Sequence, residues 1–370
     1  MKPLDFVINS SANPHVAIIH YPEILASNYI NLIAIADDNE TRLKAAEDFF
    51  GSKRKLKFYS DYREMYQKHP EAEAVMIGSD NCHHLQHTLE AIGMGKHVLS
   101  MKNLSMNENE CREMIASAER AGVILQVELI LHFEPRFRNL LKRVREGQLG
   151  KILAFYITNI SHCPINYYPN WGKPELVYGK RMSIRPGANV YRGGALTDHP
   201  HPFDLARKFS GSEFKSIYAM NAPNIRNHIE VEDHAAINAE MRNGIKVFIN
   251  PSYSNLEEKS HVRGFIWPKS LDCLLKIYGE KGMLISDFRE KPNLMVSARG
   301  LAAGRLFADG RRQCANFGDS LLSSFFLSCR GRRPVESNGF DGLQATCAIN
   351  AAYDSIYNNK TIDLEDSWSC

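Results

Sequence analysis

The sequence predicts two domains: a parallel α/β domain, then an α+β domain with a large, mostly antiparallel open sheet. Three observations predict this. At 370 residues the chain exceeds what one compact core usually serves. The first third alternates short apolar runs with helical patterns, the mark of βαβ units on a parallel sheet. After about residue 130, alternation at period two dominates, which reads as half-buried strands.

The elements follow in order. Phe6 to Ile8, Leu32 to Ala36, Ala74 to Ile77, His97 to Leu99 and Val123 to Val127 are the apolar runs of a first domain, residues 1–127. Glu40 to Phe50 and Asn107 to Ala121 are its clearest helices, the second capped by Asn107 and stopped by Gly122. The second domain, 128–370, opens on a helix from Pro135 to Glu146 that ends at Gly147. Ile152 to Ile157, Ser216 to Met220, Ala235 to Met241, Val247 to Tyr253 and Leu274 to Tyr278 are its strands. A short helix spans Phe203 to Phe209. The helix from Leu343 to Tyr357 is expected to pack back on the first domain.

Bulk composition excludes several classes. The chain is 44% hydrophobic and 24% charged, the balance of a globular protein rather than a disordered one. A net charge of +3, with no basic run carrying interleaved aromatics, makes no case for nucleic acid. No apolar stretch approaches the roughly 18 residues of a membrane span, and the N-terminus has no long apolar signal region. Eight scattered cysteines without a Cys-x-x-Cys pair read as free thiols in the cytoplasm.

One residue points to chemistry. The run His97 to Leu99 leads to Lys102. In an open parallel sheet the carboxyl ends of the strands face the ligand crevice. A buried ammonium costs several kcal/mol unless paired, so a lysine there is a candidate for function. A dinucleotide-binding, Rossmann-like domain would show Gly-x-Gly-x-x-Gly after its first strand. Here the loop reads Asn9-Ser10-Ser11-Ala12-Asn13-Pro14-His15, with no glycine. Small residues and Asn still make a turn, which leaves backbone amides to offer a phosphate, or the loop is an ordinary turn. Asp37 and Asp38 end the second run. They accept from an adenosine ribose and favour NAD over NADP, or Asp38-Asn39 caps the next helix. Ser79 to His87 carries Asn81, His83, His84 and His87 at a helix start, suited to cofactor contacts more than to a metal.

The second domain has its own candidates. Tyr167, Tyr168, Trp171, Tyr178 and Tyr191 lie among Arg181, Arg185 and Arg192 in a stretch of low periodicity, suited to a sugar ring or to a loop packed on itself. The run Arg192 to Asp204 has paired glycines, then Asp198, His199, His201 and Asp204. A histidine near a carboxylate makes a proton acceptor near pH 7. A metal on Asp198, His199 and His201 is the minor alternative, and Asp204 reads as structural.

In this order the motifs resemble the Gfo/Idh/MocA oxidoreductase family, over almost the whole chain. Asn81 and His84 match its Thr-Pro-Asn-x-x-His turn, with Asp80 in place of the proline. Gly95 to Val98 match its Gly-Lys-His-Val. Lys102 falls on the lysine of Glu-Lys-Pro, with Met101 and Asn103 as its flanks. Gln148 to Ile152, Gly193 to Asp204, Gly279 to Gly282 and Phe340 to Gly342 also fit. The resemblance implies a Rossmann domain, an open-sheet domain, NAD, and hydride transfer at a hydroxyl-bearing carbon of a sugar, cyclitol or glycoside. It implies that Lys102 orients the hydroxyl, that His201 takes the proton, and that Asp198 supports it or binds substrate. Ser11, Ala12, Asn13, His15, Asp37, Asp38, Ser79, Asn81, His84 and Lys102 are the cofactor candidates. His132, Tyr191, Arg192 and His199 are the substrate candidates. The same residues would serve an NAD-dependent glycosidase, and a binding subunit that has lost turnover is the non-enzymatic alternative. An open sheet also favours pairing with a second copy of the chain.

Overall fold

The computed structural model describes residues 1–51, 53–161, 173–253, 272–288, 294–297, 300–303 and 317–364. They divide into two compact units, Met1–Glu134 with Arg312–Leu343, and Pro135–Arg311 with Gln344–Cys370.

The first unit holds strands β1 (Leu4–Asn9), β2 (Ile30–Ala36), β3 (Lys57–Tyr59), β4 (Ala74–Ile77), β5 (His97–Ser100) and β6 (Leu125–Val127). They form one parallel sheet in the order β3-β2-β1-β4-β5-β6. Strand order reverses between β1 and β4, and ligands of such sheets bind at that point, beyond the carboxyl ends. β1 and β4 are buried along their whole length, which is why they read as continuous apolar runs.

Helices α1 (Tyr21–Ala26), α2 (Glu40–Phe50), α3 (Tyr62–Lys68), α4 (His84–Gly93) and α5 (Glu108–Ala121) connect the strands, and a five-residue π-helical turn, Val16–His20, leads into α1. The α5 helix starts as its sequence predicts. The Asn107 side chain accepts from the Asn109 amide, Glu108 and Glu110 sit in the first turn, and Gly122 ends it at φ 64°. Asn39 rather than Asp38 caps α2, accepting from the Arg42 amide.

The second unit begins with α6 (Pro135–Arg145) and β7 (Ile152–Ser161). Short helices α7 (Pro174–Tyr178), α8 (Ala195–Asp198) and α9 (His201–Ser210) precede β8 (Phe214–Met220), β9 (Ala236–Met241), β10 (Lys246–Tyr253), β11 (Asp272–Gly279), β12 (Gly282–Asp287), β13 (Leu294–Ser297) and β14 (Gly300–Ala303). Helix α10 (Phe317–Cys329) follows. Helix α11 (Gly339–Asn358) and β15 (Ile362–Asp363) close the chain. The nine strands run β14-β13-β12-β11-β7-β10-β9-β8-β15, antiparallel except for β7 and β10. Alternating burial along β10 shows one face covered and one open.

Helix α10, which the sequence reading did not identify, packs into the core of the first unit. Leu321, Leu322, Phe325 and Phe326 of α10 join Phe6, Ile8, Leu32 and Leu99 in the core of the first unit. The Phe6 and Phe325 rings meet edge to face at 6.3 Å. The expected helix, seen as α11, runs from the first unit into the second after Leu343. Among the described residues no helix is long and apolar enough to cross a membrane. Cys82, Cys111, Cys273, Cys329 and Cys347 are free thiols.

Gly78, just past β4, carries the closest approach at the switch point. A Cβ there would stand 2.4 Å from the Ser10 carbonyl oxygen and 2.6 Å from Val16 Cγ2. Gly78→Ala is expected to destabilise the protein by about 1–3 kcal/mol through overpacking. Gly93→Ala, with nothing within 4 Å of its Cβ, serves as the control and is expected to hold or raise stability. Paired thermal melts check this; equal midpoints for the two variants would contradict it.

Candidate active site

The turn after β1 closes on itself. Ser10 sits at φ 70°, a conformation normally left to glycine. It is held there on both sides. Its amide donates to the Ala36 carbonyl at 2.8 Å, and its hydroxyl accepts from the Ala12 amide at 3.2 Å. The Ser11 amide donates to Asp37 Oδ2 at 2.7 Å, and the Ser11 and Tyr21 hydroxyls share a hydrogen bond of 2.6 Å. The Asn13 amide donates to the Gly78 carbonyl, the His15 amide to Asn13 Oδ1, and the Val16 amide to the Asn13 carbonyl. Pro14 has no amide hydrogen. The amides expected to remain open for a phosphate, those of Ser11, Ala12, Asn13 and His15, therefore all have protein acceptors. Without glycine, the loop stays ordered by using its own donors.

The acidic end divides between two residues. Asp37 is buried, and its carboxylate accepts from the Ser11 and Asn39 amides and from Arg42 Nε. It braces the loop. Asp38, expected beside it as a ribose acceptor, keeps its side chain 88% exposed and pairs only at its edge with Arg42, at 3.0 Å.

The ends of β4 and β5 are tied together. His84 is buried, with ring nitrogens 3.0 Å from the carbonyl oxygens of Leu104 and Ser79. Both nitrogens face backbone, so the ring shapes the turn. The Ser79 hydroxyl meets His87 Nδ1 at 2.9 Å. Asn81 Nδ2 donates to the Asn103 carbonyl at 2.8 Å, and Asn13 Nδ2 reaches the Lys102 carbonyl at 3.5 Å. Lys102 is thus buried at the end of β5, next to the cofactor loop, and its peptide bond to Asn103 is cis.

Sequence reasoning missed Glu128, the first residue after β6. It is fully buried; Oε1 lies 3.3 Å from His15 Nδ1 and 3.4 Å from His20 Nε2. His20 Nδ1 in turn lies 2.9 Å from Glu23 Oε2. Burial alone would pull the His20 ring down, but the two carboxylates raise it to about 9, so it is an imidazolium at neutral pH. Burial likewise opposes the charge on Glu128, yet His15 and His20 hold its carboxyl well below the usual range. The rule that singles out Lys102, a charge at the end of an apolar run, also fits Glu128 after Val123 to Val127.

His132 lies in the first unit, in the short helical turn Ile130–Phe133. It is buried, with Nδ1 2.9 Å from the Glu336 carbonyl oxygen.

In the second unit the paired glycines build a tight turn before α8. A Cβ on Gly194 would fall 1.9 Å from the Glu232 carbonyl oxygen, so no side chain fits. Glu232, also missed in the sequence, is buried and accepts from the amides of Gly194 and Leu196 and from the Tyr353 hydroxyl at 3.1, 2.9 and 2.7 Å. The turn sets Asp198 at the last residue of α8 and His201 at the first of α9, both half-buried. His199 points elsewhere. Its ring nitrogens meet the Ala195 carbonyl at 2.5 Å and the Ser161 hydroxyl at 3.0 Å. Arg192 is buried, pairs with Asp354 at 2.8 Å and lies over the Tyr353 ring. Of the four substrate candidates, His199 and Arg192 have these protein partners. Tyr191 is half-buried under the Arg181 guanidinium. Asp204 is buried in α9, 3.7 Å from Arg207. Tyr167, Tyr168 and Trp171 lie outside the described residues. Among the described residues no three His, Cys, Asp or Glu side chains gather as a metal site.

A doubly wound parallel sheet with a buried lysine beyond the carboxyl end of β5, in a chain that also holds a nine-stranded open-sheet unit, fits the class of dinucleotide-binding oxidoreductases. Residues 12–129 match the model of the oxidoreductase family with an NAD-binding Rossmann fold, and residues 137–285 match the GFO/IDH/MocA C-terminal domain. The chain belongs to the GFO/IDH/MocA oxidoreductase family and carries its NAD-binding domain. It is 24% identical to a myo-inositol 2-dehydrogenase of Thermotoga maritima, over 95% of this chain and 96% of that one. It is 26% identical to a 1,5-anhydro-D-fructose reductase of Ensifer adhaerens, over 80% and 81%. Its fold is similar to that of a scyllo-inositol dehydrogenase of Lactobacillus casei solved with NAD(H) and scyllo-inositol. There the TM-score is 0.74, at 19% identity over 98% and 99% of the two chains.

Glu232 makes the second-unit turn sensitive to pH. Burial raises its carboxyl to about 7, against the opposing pull of Tyr353 and the two amides. The folded state keeps this proton to higher pH than the unfolded chain, whose carboxyl titrates near 4.5. Stability is therefore lost as pH rises through this window, by roughly 3 kcal/mol at most. Glu232→Gln should remove that slope. Denaturant melts of both proteins at several pH values between 4.5 and 7.5 check it, and parallel profiles would contradict it.

Proposed function

We propose that this protein is an NAD-dependent dehydrogenase that moves a hydride between nicotinamide and a hydroxyl-bearing carbon of a sugar or cyclitol. The observation that carries the reading is Lys102, buried at the carboxyl end of β5 and tied through its carbonyl to the loop after β1. The inositol and anhydro-fructose activities named for relatives support the substrate class. The crevice residues fit the cofactor in part. Asp38 has an open carboxylate for the ribose, Ser79 and Asn81 line the turn after β4, and the backbone of Ser11 to Asn13 supplies shape rather than free donors.

The bound nicotinamide supplies the hydride acceptor in one direction and the donor in the other. The remaining steps belong to the chain. The Lys102 ammonium faces the reacting hydroxyl and stabilises the alkoxide as it forms, where a fixed positive charge helps the transition state most. His201 accepts the hydroxyl proton, and Asp198 orients the base. The protein works in the cytoplasm. It pairs with a second copy through the open sheet face, where Tyr156 stacks on Phe248 at 4.5 Å and meets Tyr278 edge-on.

Lys102→Met should lower the rate of hydroxyl oxidation by about 10²–10³-fold while NADH still binds. Turnover of a panel of cyclitols and sugars, with NADH fluorescence as the binding readout, checks both halves. Full activity in the variant would remove the assigned role. A wild type that leaves NADH unbound at millimolar concentration would instead mark a binding subunit.

A further inference from the structure

We propose that the cofactor pyrophosphate is held by the His15 imidazole, positioned by Glu128, in place of the backbone amides of the turn after β1. The proposal rests on the NAD reading above.

The first support is the donor census of the loop. From Ser10 to Val16 every backbone N–H has an acceptor within the protein, at 2.7 to 3.2 Å. A phosphate approaching this turn meets no free amide from those residues, so the usual glycine-loop recognition is absent. The anion needs another donor. His15 is the one ionisable side chain of the loop, and its side chain remains 28% exposed. Nδ1 is turned to Glu128, and the opposite nitrogen, Nε2, has no hydrogen-bond partner among the described residues.

The second support is the arrangement behind the ring. A carboxylate on one imidazole nitrogen fixes the ring and makes the other nitrogen more basic, as it does for histidines that bind metals. Glu128 is placed for this, anchored by its own amide to the Ser100 carbonyl at 2.8 Å. The ionisable groups that meet the ring or its carboxylate partner are Glu128 from the end of β6, and His20, with its own partner Glu23, from the turn and helix after the loop.

The proton balance follows. A neutral ring that gives its Nδ1 hydrogen to Glu128 has only a lone pair at Nε2, which repels a phosphate oxygen. To bind, the ring takes one proton from solvent and donates from both nitrogens. The Nε2 hydrogen bond to the pyrophosphate is then charge-assisted.

Calorimetry with ADP and with adenosine tests this, because the two probes differ by the diphosphate. At pH 8.5, in two buffers of different ionisation enthalpy, the wild type should take up a proton on binding ADP but none on binding adenosine. His15→Gln should weaken ADP about tenfold to a hundredfold, abolish the proton uptake and leave adenosine affinity unchanged, which also shows that the fold is intact. Glu128→Gln should weaken ADP in the same sense with His15 still present. Wild-type ADP affinity in His15→Gln overturns the proposal, as does ADP binding without proton uptake. If the wild type binds neither NADH nor ADP, the cofactor reading itself falls. If NADH binds equally to wild type and His15→Gln, only this inference falls.

Discussion

The hydrogen bond from the Ser11 amide to Asp37 is the constraint on which the first unit's site depends. A parallel sheet leaves donors at its strand ends, and a glycine-rich loop normally keeps them open for a phosphate. Here Asp37 takes the first of them, Ser10 is held at a positive φ, and the rest of the turn satisfies itself. Gly78 lets the turn close against β4, since any side chain there would strike Ser10. The glycine has in effect moved from the loop to the strand it packs on.

Once the amides are engaged, the electrostatics of the crevice shift to side chains. Lys102 and Glu128 stand at the ends of adjacent strands, joined by the amide of Glu128 on the carbonyl of Ser100. A buried carboxylate is costly unless partnered, and His15 and His20 partner this one. In the second unit the same logic governs the turn before α8. Gly194 passes against Glu232 so closely that the carboxylate can collect two amides and the Tyr353 hydroxyl. That collection fixes the start of α8, which ends at Asp198, shortly before His201 begins α9.

Much of the fold was legible. Five of the six strands of the first unit, α2, α5, α6 and most strands of the second sheet follow from period and capping, because those signals are local. Short or irregular elements were not. β3 has three residues, and the π-helical turn at Val16 to His20 carries an apolar run that suits helix and strand alike. α10 went unread although Leu321, Leu322, Phe325 and Phe326 stand at helical spacing with serines between them. The candidate site was legible in residue type and opaque in partner. Lys102 follows from position alone. That Arg192 answers to Asp354, or His199 to Ala195 and Ser161, depends on neighbours brought close by folding.

The sequence by itself determined the fold class of both sheets and the family, because periodicity and ordered motifs survive without coordinates. Only the tertiary structure decided which polar groups are free. Asp37 and Asp38 are neighbours of the same type, yet one is buried under three donors and the other is open to solvent. A hydrogen bond is a property of two groups at a distance, and residues as far apart in the chain as His15 and Glu128 meet only once the sheet has formed.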